Sequence, residues 1–74
     1  MSDDGAKVRK RSVLVSGHAT SVSLEEDFWS ALKRLAETRE QSMNELISEL
    51  DKGRAGNLSS TIRVFVLREV SRGP

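Results

Sequence analysis

The 74 residues include no Cys, one His, one Trp and two Phe and carry a net charge of +1, which excludes a disulfide framework and offers no metal-ligand or nucleophile–base spacing, so an enzyme is not expected. A domain this small buries too little of its surface to be secure alone, and a homodimer is the expected source of the missing core. No apolar run of about 18 residues is present, and Ser2, Asp3, Asp4 and Gly5 stand where a signal peptide would begin with basic residues; a soluble, cytoplasmic protein without membrane association, metal or cofactor is expected.

The charge is unevenly placed. Lys7, Arg9, Lys10 and Arg11 against Asp3 and Asp4 leave residues 1–24 at +2, whereas residues 25–51 stand at −5 and residues 52–74 at +4. Basic ends around an acidic middle suit an anion-binding edge on a solvated protein, and equally a solubilising tail.

Residues 1–11 are polar and without period and read as a flexible basic arm. From Ser12 to Leu24 the chain is rich in β-branched residues and alternates at its end, with Thr20, Val22 and Leu24 on one side and Ala19, Ser21 and Ser23 on the other. Gly17-His18 reads either as a kink in one long strand or as the two-residue turn of a hairpin. The hairpin would pair Val15 with Thr20 and Val13 with Val22, all four on one face.

Leu24, Phe28, Ala31, Leu32, Leu35 and Ala36 then repeat with a helical period. This predicts a first helix from Glu25 to Arg39, opened by a capping box at Ser23-Leu24-Glu25-Glu26. A second box, Ser42-Met43-Asn44-Glu45, opens a helix over residues 43–52 with an apolar stripe at Met43, Leu46, Ile47 and Leu50. Gly53 and Gly56 end it, and residues 53–70 form a C-terminal extension whose TIRVFVLREV run fits a helix better than a strand. Residues 71–74 are expected to fray.

The order strand, helix, short turn, helix opening on Ser resembles the ribbon-helix-helix family of the Arc, MetJ and CopG repressors, carried by TSVSLEEDFWSALKRLAETREQSMNELISEL within a core of residues 12–52. It is similar to a branch in which SVLVSGH precedes the ribbon and NLSSTIRVFVL follows the second helix. The resemblance implies a mainly α, intertwined homodimer with a short β-ribbon lying in the DNA major groove. Ala19, Ser21 and Ser23 match the base-facing positions, and their small side chains imply weak sequence reading. The DNA backbone would be met by Lys7, Arg9, Lys10, Arg11 and His18, and by the start of the second helix at Ser42, Met43 and Asn44. Val22, Leu24, Phe28, Trp29, Leu32, Leu35, Leu46, Ile47 and Leu50 would form the dimer core.

Each of these residues also has an ordinary reading. Ser21 and Ser23 suit any solvated strand face, His18 suits a turn, and Trp29 suits core packing or a separate protein contact. The rival function is a protein-interaction module or antitoxin-type protein that presents residues 53–70 to another protein.

Overall fold

The computed structural model describes residues 4–53 and 56–72. After a 3-10 turn at Asp4–Ala6 come β1 (Val8–Val15), β2 (His18–Glu25), α1 (Glu26–Thr38), α2 (Met43–Lys52) and α3 (Leu58–Arg72). The expected fold class, mainly helical with a short two-stranded β element and a third helix, is present.

β1 and β2 form an antiparallel hairpin, so the long kinked strand is set aside. The turn is Ser16-Gly17, one residue earlier than Gly17-His18. Both residues have positive φ, 51° and 84°, as a type I′ turn requires, and the twist of such a turn matches that of the strands. The register therefore pairs Val15 with His18, Val13 with Thr20 and Arg11 with Val22, two residues away from the sequence expectation. A shift of two leaves every side chain on its expected face.

β1 begins at Val8, so Arg9, Lys10 and Arg11 belong to a strand and not to a flexible arm; residues 1–3 of that arm lie outside the described residues. The basic segment is ordered because β2 continues to Glu25 and supplies its pairing partners, ending with the Glu26 amide donating to the Lys7 carbonyl at 2.8 Å. This also displaces the first predicted capping box: Ser23 lies in β2, and Glu25 caps α1 without a side-chain hydrogen bond.

Reversal after α1 needs no glycine. Glu40 adopts φ 56°, and the Glu40 and Gln41 amides donate to the carbonyls of Glu37 and Ala36 at 3.0 and 2.9 Å, the paired bonds of a Schellman ending. The second capping box forms as expected: the Glu45 amide donates to Ser42 Oγ at 3.1 Å and the Ser42 amide to the Glu45 carboxylate at 2.8 Å. α3 is capped by Asn57, whose Oδ1 accepts from the Ser60 amide at 2.8 Å, and it runs to Arg72, past the expected fraying point; residues 73 and 74 lie outside the described residues.

One apolar core lies between the hairpin and the three helices: Val13, Val15, Val22 and Leu24 face Trp29, Leu32 and Ala36 of α1, Leu46 and Ile47 of α2, and Ile62 and Val66 of α3. Val22, Leu24, Trp29, Leu32, Leu46 and Ile47, expected in a dimer core, are thus buried within a single protomer, with Phe28, Leu35 and Leu50 packed partly against them. This burial within the protomer has a simple cause. β1 and α3 cover apolar stripes that would be open in a minimal strand-helix-helix chain.

Candidate nucleic-acid interface

Residues directly opposite one another in an antiparallel pair share a face. The observed register therefore places Arg9, Arg11, Val13 and Val15 with His18, Thr20, Val22 and Leu24 on the face toward the helices. Lys10, Ser12 and Leu14 share the outward face with Ala19, Ser21 and Ser23. Outward exposure of Ala19 and Ser21 agrees with the alternation in the sequence; Ser23 is half-buried beside α3. Lys10 and Ser12 stand opposite Ser23 and Ser21, a neighbourhood that β2 alone did not reveal.

The basic cluster is divided by this geometry. Arg9 and Arg11 both pair with Glu26, at 3.1 and 3.2 Å, and the Arg11 guanidinium lies over the Trp29 ring, 5.2 Å from its centroid. The Trp29 indole donates to the Arg9 carbonyl at 3.0 Å, tying α1 to β1. Arg9 and Arg11 are therefore committed on the helix side, while Lys10 stands exposed among the outward serines. Lys7 precedes β1 and is exposed.

His18 does not join the outward set. It flanks the turn opposite Val15 and, with Thr20 and Ser21, lines a groove whose other wall is Leu58 and Ser59 of α3.

At the start of α2, the two bonds of the capping box occupy the Ser42 and Glu45 amides, and the hydrogen bonds from Ser42 hold the Glu45 carboxyl below the usual carboxylate range. The Asn44 side chain is also engaged: its Oδ1 accepts from the Leu14 amide at 3.1 Å. Ser48 Oγ donates to the Leu14 carbonyl at 3.4 Å and accepts from the Ser16 amide at 3.3 Å. Asn44 and Ser48 thereby satisfy backbone groups on the outer edge of β1 near the turn, which anchors the hairpin to α2 and gives Asn44 a structural role that its capping position did not announce.

α3 is joined to β2 by Arg63, whose Nε donates to the Glu25 carboxylate at 2.9 Å and whose Nη2 lies 3.5 Å from the Ser23 carbonyl. The Arg63 hydrogen bond holds the Glu25 carboxyl below its ordinary value, with a backbone hydrogen bond adding to it. This pair joins residues 38 apart in sequence, so no local pattern announces it. Among the described residues, no group of His, Cys, Asp and Glu is placed to hold a metal ion, and no helix is long and apolar enough to cross a membrane.

A family model described as a ribbon-helix-helix domain matches residues 8–70. Among solved structures, the chain is similar to an uncharacterized protein from Bordetella pertussis Tohama I, with a TM-score of 0.82 and 32% identity over 96% of this chain and 62% of that one. The present chain thus spans less than two thirds of that protein. No curated protein matches.

Proposed function

Because this chain belongs to the ribbon-helix-helix family, a family of DNA-binding transcription regulators that act as dimers, we propose that it is a cytoplasmic transcriptional repressor binding DNA through the outward face of its hairpin. The observation that carries this reading is the face itself: among the described residues no helix covers it, and Ala19 and Ser21 of β2 stand there beside Lys10 and Ser12 of β1, with Ser23 at its half-buried end.

Two chains pair through the unmatched edge of β2, which gives a continuous antiparallel ribbon with two copies of the outward face related by a dyad. Serine hydroxyls both donate and accept and distinguish bases poorly, so sequence is read weakly and much of the affinity comes from phosphates. Lys10 and Lys7 supply cationic contacts, and the Met43 and Asn44 amides at the start of α2 supply dipolar ones. Arg9 and Arg11 contribute by shaping the hairpin against α1.

The test is Ser21→Glu. The side chain is exposed on the outward face, so stability should change by no more than about 0.5 kcal/mol, while duplex affinity collapses because each chain of the dimer turns a carboxylate toward a polyanion. An unchanged melt with unchanged DNA affinity removes the hairpin face from the DNA site.

A further inference from the structure

β2 has a second edge that the protomer leaves unpaired. The hydrogen bond from Glu26 to Lys7 sets the alternation of the ladder and turns the backbone groups of Ala19, Ser21 and Ser23 away from β1. Among the described residues, the contact recorded for these groups is the one from Arg63 to the Ser23 carbonyl. An open antiparallel edge is self-complementary about a dyad and requires a mate to satisfy its donors and acceptors.

The flank of α3 beside that edge is unusual for a surface. Ser59, Arg63, Leu67 and Val70 follow one another at helical spacing; Ser59 lines the groove against His18, Thr20 and Ser21, and Arg63 reaches Ser23 and Glu25. Farther along, Leu67 and Val70 are 63% and 62% exposed and border a shallow apolar dent of about 210 Å³ with Phe28. On this flank Glu25 neutralises Arg63 at 2.9 Å, and Asp27 lines the dent beside Phe28. Two such flanks can approach without setting arginine against arginine.

We propose that a second copy of this chain covers the flank, so that Phe28, Leu67 and Val70 of each protomer meet their counterparts beneath the joined ribbons. The inference rests on the ribbon-pairing reading and extends it: the dimer has two layers, a backbone layer at the β2 edges and an apolar layer at α3. The structure assigns the α3 extension a role in holding the dimer together, with the Glu25–Arg63 pair setting the helix at the height of the ribbon edge.

Sedimentation velocity at about 10 μM, where a stable dimer resists dilution, tests this on the full chain and two variants. Leu67→Lys with Val70→Lys changes two solvent-exposed positions in the C-terminal half of a helix, where added positive charge suits the dipole, so the protomer keeps its helical circular dichroism. Ser21→Pro removes an amide that points to the open edge and takes no part in the β1 ladder, so it blocks ribbon pairing alone. The expected result is a dimeric wild type with both variants monomeric and folded. If the lysine variant stays dimeric while Ser21→Pro dissociates, the ribbon reading stands and the α3 layer is refuted. If the lysine variant dissociates while Ser21→Pro stays dimeric, ribbon pairing is refuted and the two-layer dimer falls with it, leaving a dimer held at α3 alone. A monomeric wild type overturns both.

Discussion

Lys10→Ala distinguishes a cation that faces DNA from cations that the fold has already engaged. Lys10 is exposed on the outward face opposite Ser23, whereas its neighbours Arg9 and Arg11 are held by Glu26 at 3.1 and 3.2 Å, Arg11 also lying over Trp29. In a dimer the substitution removes two phosphate contacts, and at roughly 0.9 per contact the slope of log affinity against log salt should fall by about 1.8. A roughly fourfold rise in salt should then cost the variant about tenfold less affinity than it costs the wild type. Arg11→Ala should behave oppositely. It removes one exposed ion pair and one cation–π contact, together about 1 kcal/mol of stability, with a salt slope close to wild type. Fluorescence anisotropy with a labelled random duplex at two salt concentrations, accompanied by thermal melts, measures both quantities. An unchanged slope for Lys10→Ala, or an equal loss of slope for Arg11→Ala, would refute the division of the basic cluster between the two faces.

Two further substitutions probe the scaffold. The Glu25 carboxyl has its pKa lowered in the folded state by Arg63, so its contribution is present above the unfolded carboxylate pKa and disappears as pH falls through the folded one; Glu25→Gln should flatten that part of the acid limb in melts taken from neutral to acidic pH, and an unaltered limb would assign the acid sensitivity elsewhere. Ser16→Asn places a residue more tolerant of positive φ beside Gly17 while leaving the backbone amide free to donate to Ser48; it should stabilise by about 0.5 kcal/mol, or roughly 3 °C in Tm for so small a domain, and a lower Tm would contradict the type I′ assignment.

The fold legible in the sequence was the part encoded by short-range pattern. Period-2 alternation put Ala19 and Ser21 opposite Val22 and Leu24, period-3.6 stripes marked α1 and α2, and Ser42 with Glu45 announced a capping box that forms as expected. These features depend on residues within about one helical turn of one another, so the chain carries them wherever it folds. What reached across the chain was decided by tertiary structure. The strand register awaited the positive φ values at Ser16 and Gly17, and the order of Arg9 to Arg11 awaited the extension of β2 to Glu25. The division of Lys10 from Arg9 and Arg11 followed from both, with Glu26 and Trp29 as the distant partners. An apolar stripe specifies that it must be buried but not by what: for Leu32, Leu46 and Ile47, β1 and α3 of the same chain provide cover within the protomer.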